Sequence, residues 1–116
     1  MHEMALMGDI LQLVERDAIS RNIHQIDKIE LVVGELSNAL PDALEMAFEV
    51  FQARNQAKLL KEAKLIIFRE RARAKCTVCE HEYKPDARLS ICPQCQLPSG
   101  KLTAGETFKV LSYEGS

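Results

Sequence analysis

The chain has 116 residues and a mass of 13.1 kDa, enough for one compact domain and too little for two of ordinary size. Its 47% hydrophobic and 28% charged residues exclude whole-chain disorder and fibrous repeats, and a net charge of -2 argues against a protein that clamps nucleic acid over its whole surface. No apolar run approaches the roughly 20 residues that span a bilayer, and no signal peptide is evident. We therefore expect a cytoplasmic protein without membrane contact.

Hydrophobic periodicity predicts two helices and three strands. Apolar side chains recur at helical spacing in the first helix, and a proline suited to a first helical turn opens the second. Alternation of apolar and polar residues indicates the strands. The predicted elements are, in chain order, a helix from Met4 to about Ile19, a strand at 28–33 that breaks at Gly34, a helix from Pro41 to about Asn55, and strands at 65–75 and 107–113.

This order predicts an α+β fold in which two helices pack on one face of a small β-sheet. A segment with three prolines and few large apolar residues interrupts the chain before the last strand. We therefore expect two domains, the first formed by residues 1–68 with 107–116 and the second by residues 69–106.

Four cysteines in the second domain have metal-ligand spacing. Cys76 and Cys79 form one C-x2-C turn, twelve residues separate it from the next, and Cys92 and Cys95 form the second. Two such turns facing each other present four thiolates in a tetrahedron, the geometry of a structural zinc site with no open coordination position. A redox pair, two disulfides and an iron–sulfur cluster are the alternatives. Only a metal explains two such turns in a segment that is poor in core residues, and we favour zinc.

A second metal site is suggested at the N-terminus. The amine of Met1, the amide nitrogen of His2 and its imidazole can form fused chelate rings around one ion, and the carboxylate of Glu3 is within reach. Planar nitrogen donors suit Ni(II) or Cu(II). By itself, however, a histidine at position two is also typical of a frayed terminus. His81, two residues after Cys79, could replace a cysteine ligand or bind a second metal, although such a histidine is more typical of a solvated loop; we assign no role to His24.

The chain resembles the HypA/HybF family of hydrogenase nickel-incorporation proteins over essentially its whole length. The resemblance rests on the opening Met1-His2-Glu3, on the paired cysteine turns and on three further segments. These are Val33-Gly34-Glu35-Leu36-Ser37, Pro41-Asp42-Ala43-Leu44-Glu45-Met46-Ala47-Phe48-Glu49 and Gly105-Glu106-Thr107-Phe108. Ser99-Gly100 departs from the pattern, because we expect a glycine earlier in that loop.

The resemblance implies a nickel metallochaperone. It implies Ni(II) as cargo at Met1, His2 and Glu3, and Zn(II) as a structural ion at Cys76, Cys79, Cys92 and Cys95. It further implies delivery of nickel to the large subunit of a nickel–iron hydrogenase together with the GTPase HypB, and some members of the family also serve urease maturation. The sequence leaves open whether the protein is a monomer or a homodimer.

Two other classes of function compete with this one. Arg69, Arg71, Arg73 and Lys75 alternate along the third predicted element, which would place four cations on one face of a strand as in a nucleic-acid-binding zinc ribbon. The acidic total charge and the scarcity of aromatic residues argue against it. We also expect no enzyme, because the sequence has no nucleophile with its base, no phosphate-binding loop and no open metal site.

Overall fold

A computed structural model describes residues 2–54, 58–85 and 91–116. These residues form two helices and six strands, together with a short 3-10 turn at Lys58–Leu60. In chain order they are α1 (His2–Ser20), β1 (Ile26–Gly34), α2 (Pro41–Gln52), β2 (Lys64–Glu70), β3 (Arg73–Cys76), β4 (Glu82–Tyr83), β5 (Gly100–Ala104) and β6 (Phe108–Gly115). The strands form two three-stranded sheets of order β2-β1-β6 and β4-β3-β5. The predicted α+β class is confirmed.

The first of two compact units comprises residues 1–32, 39–68 and 109–116. Within it α1 packs on α2, and one stripe of each helix is buried with the alternate side chains of β1. The buried side chains include apolar residues that recur at helical or strand spacing, namely Met7, Ile10, Leu11, Val14, Ala18, Ile29, Leu31, Leu44, Ala47 and Phe48, whereas Phe51 in the same repeat of α2 is half-buried. Burial of these apolar stripes accounts for the stability of two helices of modest length.

The second unit comprises residues 33–38 and 69–108. Its sheet has β3 in the centre, antiparallel to β4 and to β5. The segment 33–38 is bound in by backbone hydrogen bonds, since the Gly34 N–H donates to the Thr107 carbonyl and the Leu36 N–H to the Gly105 carbonyl, both at 2.7 Å. A side chain at Gly34 would overlap the Gly105 carbonyl, and Gly105 has a φ of 113°. Both positions therefore require glycine.

The strand predicted at 65–75 is two strands, β2 and β3, and this prediction was wrong about its continuity. Between β2 and β3, and in the segment that follows β5, backbone N–H groups donate to side-chain carboxylates and not to a neighbouring strand. The Ala72 N–H donates to Glu35 at 3.3 Å, and one oxygen of Glu70 accepts the N–H groups of Gly105 at 2.6 Å and Thr107 at 3.3 Å. These carboxylates lie about 35 residues from their partners, so local periodicity carries no signal of the break.

Other boundaries differ less. Helix α1 begins two residues before the predicted Met4, and α2 ends at Gln52, whereas the predicted end at Asn55 lies outside the described residues. The short strands β4 and β5 were not predicted, because their pattern is masked by the turns and prolines around the cysteines. Neither helix among the described residues is long and apolar enough to cross a membrane.

Candidate metal centres

The four cysteines converge on one point in the second unit. All four Sγ atoms lie within 4.8 Å of one another, and all are free thiols. The Sγ atoms of Cys76 and Cys95 are 3.8 Å apart, and those of Cys79 and Cys92 are 3.7 Å apart. Zinc–sulfur bonds of about 2.3 Å in a tetrahedron place the sulfurs roughly 3.8 Å apart. These two separations therefore match those around a tetrahedral ion.

The two C-x2-C turns have the same backbone construction. In each, the residue after the second cysteine donates its N–H to the carbonyl of the first cysteine, Glu80 to Cys76 at 3.0 Å and Gln96 to Cys92 at 2.7 Å. Glu80 and Gln96 both have positive φ, 62° and 56°. This reversal of the chain turns both cysteine side chains of a pair toward the same side.

Backbone N–H groups point at two of the sulfurs. Cys76 Sγ accepts from Val78 and Cys79, and Cys92 Sγ accepts from Cys95, all at 3.4 Å. The N–H of Cys79 is the main reason why the pKa of Cys76 is lowered to about 6, and the Ser99 hydroxyl is the next. The hydrogen bond with the Cys79 thiol and burial raise the pKa of Cys95 to about 12. These shifts favour the thiolate of Cys76 and oppose that of Cys95 until a cation compensates the charge.

A small core surrounds the sulfurs. Cys76 and Cys92 are buried with Ala74 and Tyr83, and the Tyr83 ring stacks on His81 with centroids 6.1 Å apart. His81 is not in the cluster of candidate metal ligands found among the described residues. Sequence reasoning missed the parts played by Tyr83 and Ser99, since no local motif marks either residue.

The two described residues of the predicted N-terminal site, His2 and Glu3, differ in exposure. Met1 lies outside the described residues. His2 is the first residue of α1, and its side chain is 60% exposed, with Nδ1 3.9 Å from the Glu3 carboxylate. Glu3 is only 8% exposed, and its Oε2 accepts the N–H of Leu40 at 3.4 Å. Leu40 precedes α2 without a side-chain cap of its own, so the Glu3 carboxylate lies at the start of α2.

Hydrogen bonds define the ionisation of this carboxylate. The pKa of Glu3 is lowered, chiefly by its own backbone N–H and, after the opposing effect of burial, by the N–H of Leu40. The imidazole of His2, by contrast, stays exposed, with its Nδ1 3.9 Å from this carboxylate. Because the imidazole is exposed and the carboxylate is held in place, a metal ion can reach the imidazole from solvent.

The four cations that were predicted on one strand face are divided between elements. Arg69 lies in β2, Arg71 lies between strands, and Arg73 and Lys75 share the exposed face of β3. Lys75 stands opposite Glu82 of β4 on one side and Lys101 of β5 on the other. The prediction of one continuous basic strand is wrong, because the chain leaves the first sheet at Glu70.

Comparisons with known proteins agree on one family. Residues 1–115 match the family model described as hydrogenase/urease nickel incorporation, metallochaperone, hypA. The chain is 34% identical over 115 residues to the hydrogenase maturation factor HypA of Moorella thermoacetica, covering 99% of each chain. It is 32% identical over 114 residues to that of Desulfitobacterium hafniense, covering 98% of this chain and 97% of the relative.

Two solved structures are similar over nearly the whole chain. One is a solution structure of a HypA protein, with a TM-score of 0.72, 28% identity and coverage of 100% of this chain and 97% of the other. The second is the solution structure of the nickel metallochaperone HypA from Helicobacter pylori, with a TM-score of 0.65, 28% identity and coverage of 97% and 96%.

Proposed function

We propose that this chain, which belongs to the HypA family of nickel-incorporating metallochaperones, binds Ni(II) at its N-terminus and delivers it to the large subunit of a nickel–iron hydrogenase. The relatives are named as hydrogenase maturation factors and the family as metallochaperones, and we propose no enzymatic activity for this chain. The observation that carries the proposal is the exposed imidazole of His2 at the very start of α1.

The chain start supplies nitrogen donors at little structural cost. The first four N–H groups of an α-helix have no partner within the helix, so the amide of His2 can be used without breaking a helical hydrogen bond. With the amine of Met1 and the imidazole of His2 it offers the planar nitrogen set that Ni(II) accepts. An exposed terminal chelate also lets a recipient replace the ligands one at a time, as transfer of a cargo ion requires.

Glu3 contributes to this site through its position. Its carboxylate is held by the N–H of Leu40, which fixes the second residue of α1 against the start of α2. We therefore assign the backbone of Glu3 to the site, with its carboxylate anchoring the chain start. This leaves the His2 imidazole as the accessible side-chain ligand.

We assign the four cysteines to a structural zinc ion. Cys76, Cys79, Cys92 and Cys95 would hold it, and the ion would link the two turns and balance the charge of their thiolates. Four thiolates fill the coordination shell, so this site has no position for a substrate or a reactive water. Sulfur donors prefer zinc and terminal nitrogens suit nickel, which keeps cargo and structural ion apart.

Contact with partner proteins must supply the selectivity for nickel that the nitrogen donors lack. Affinity alone would favour Cu(II) over Ni(II) at a nitrogen site. We therefore propose that nickel is received and passed on in contact with maturation partners, namely the GTPase HypB and the hydrogenase large subunit, with urease maturation as a further role. Specificity then depends on which ion the partner donates.

Metal analysis of the untagged protein after nickel titration tests this function. We expect one nickel and one zinc per chain, with nickel affinity and hydrogenase maturation reduced by His2→Ala and by an N-terminal extension that converts the Met1 amine to an amide. The matched control is His24→Ala, which removes an exposed histidine elsewhere. Zinc content should stay constant throughout. Nickel affinity that survives both changes at the chain start would disprove the terminal chelate.

A further inference from the structure

Residues 97–99 form a short segment that is hydrogen-bonded to both cysteine turns. At one end the Cys92 N–H donates to the Leu97 carbonyl at 3.0 Å. At the other, the Ser99 carbonyl accepts from the Thr77 N–H at 2.9 Å and from the Thr77 hydroxyl at 3.0 Å. One short segment thus connects the two turns independently of any metal.

The side chain of Ser99 adds a contact to a sulfur atom. Its Oγ is 3.1 Å from Cys76 Sγ, whereas its other acceptor, the Leu97 carbonyl, is at 3.5 Å. A cysteine that binds a metal has lost its proton, so in the loaded site the Ser99 hydroxyl must be the donor. Among the described residues Cys76 Sγ then accepts three hydrogen bonds, from Ser99, Val78 and Cys79.

Cys79, in the first cysteine turn, is the most exposed of the four cysteines, because Cys95 is half-buried. Thr77, Val78 and Cys79 are all exposed, whereas Cys76 and Cys92 are buried to 1% and 0% exposure. A chelator or an oxidant therefore reaches the Cys79 sulfur more easily than the buried sulfurs of Cys76 and Cys92. Any group that holds the Cys76 sulfur in place resists the opening of the site at this turn.

We propose that Ser99 is a positioning residue that holds the Cys76 sulfur within the four-cysteine site and slows the release of its metal. This inference depends on the proposed zinc site. A hydroxyl that donates to a thiolate withdraws charge from the sulfur, so a proton binds to that sulfur less readily; since a metal-bound cysteine is freed when it is protonated, the hydrogen bond slows release of the metal. Loss of a group that hydrogen-bonds to a metal ligand commonly lowers the metal affinity about 10- to 100-fold. We expect the lower end of this range, because two N–H groups remain on the same sulfur.

Zinc release to an excess of a competing chelator tests the inference in the full-length protein. Ser99→Ala should release zinc about tenfold faster than the wild type. Ser99→Thr keeps the hydroxyl and should restore slow release. Ser112→Ala is the matched control, since it removes a serine hydroxyl bonded to Glu30 in the first unit and should have no effect.

Cobalt substitution separates the contact with sulfur from a general loosening of the loop. Loss of the hydrogen bond leaves the Cys76 sulfur richer in electrons, so the sulfur-to-cobalt charge-transfer band of Ser99→Ala should move to lower energy. Thr77→Ala removes a hydroxyl bonded to the Ser99 carbonyl and should leave that band in place.

Each result decides the proposal. Equal release rates and spectra for the wild type and Ser99→Ala would overturn it. A Ser99→Thr variant that loses metal as fast as Ser99→Ala would also overturn it. If Ser99→Ala takes up no metal at all, a Ser99→Thr variant that likewise takes up none would have the same meaning. A wild-type protein without stoichiometric zinc would instead disprove the zinc site on which the inference rests.

Discussion

Gly34→Ala should weaken the unit that holds the cysteines. The new methyl group would overlap the Gly105 carbonyl, and even the Glu106 nitrogen would lie 2.9 Å from it. Both neighbours belong to the backbone, so the two segments must separate. The hydrogen bonds from Gly34 to Thr107 and from Leu36 to Gly105, both 2.7 Å long, would be lost or stretched.

The size of the effect follows from these two bonds. Each contributes about 0.5–1.5 kcal/mol net, and a buried donor left without an acceptor costs about 1–3 kcal/mol. We expect a loss of about 2–4 kcal/mol in local stability. The opposing gain, from a stiffer unfolded chain, is about 0.4–1 kcal/mol and does not offset it.

Hydrogen exchange at the amides of β3 and β5 measures this loss, with an expected acceleration of about 30- to 1000-fold. Gly8→Ala is the control, because its methyl group would meet only the tip of the Phe51 ring, at 3.3 Å, and alanine favours the helix. Exchange in β3 and β5 that stays within threefold of the wild type would refute the backbone clash as the reason for glycine at position 34.

Four further predictions concern the metal sites, one hydrogen bond and the alternative function. Cys92→Ala should lose tightly bound zinc and make about residues 72–104 sensitive to protease while the helices persist, and retention of stoichiometric zinc would contradict the site. Nickel affinity should fall as the pH drops from about 8 to about 6, because protons compete with the metal for nitrogen donors; a flat profile would indicate carboxylate ligands. Tyr113→Phe should raise the pKa of Asp17 in an NMR titration, since the hydrogen bond from the Tyr113 hydroxyl is the main reason why this pKa is lowered. The stability that this hydrogen bond contributes is present above the ordinary pKa of aspartate and is lost as the pH falls through the lowered value. An unchanged pKa of Asp17 in the variant would exclude the bond. Titration with nucleic acid at two salt concentrations should show no binding, and salt-sensitive binding would favour the zinc-ribbon alternative.

Local sequence patterns determined the helices, the first strand and the cysteine turns. The buried stripe from Met7 to Ala18 follows from helical spacing, and Ile29 and Leu31 follow from alternation. The approach of Cys76, Cys79, Cys92 and Cys95 follows from two short turns with equal spacing, each of which orients its own pair. Such features depend on neighbours a few residues apart, so a single chain displays them directly.

Only the tertiary structure decided which distant groups meet. It turned the Glu3 carboxylate toward Leu40, 37 residues away, and thereby distinguished it from the exposed His2. It divided the basic strand at Glu70, whose carboxylate binds backbone groups beyond Ala104, and it brought Ser99 to Cys76 across 23 residues. These contacts arise because buried backbone donors and sulfur atoms must find partners after the chain has folded, and the partners are set by packing rather than by spacing along the sequence.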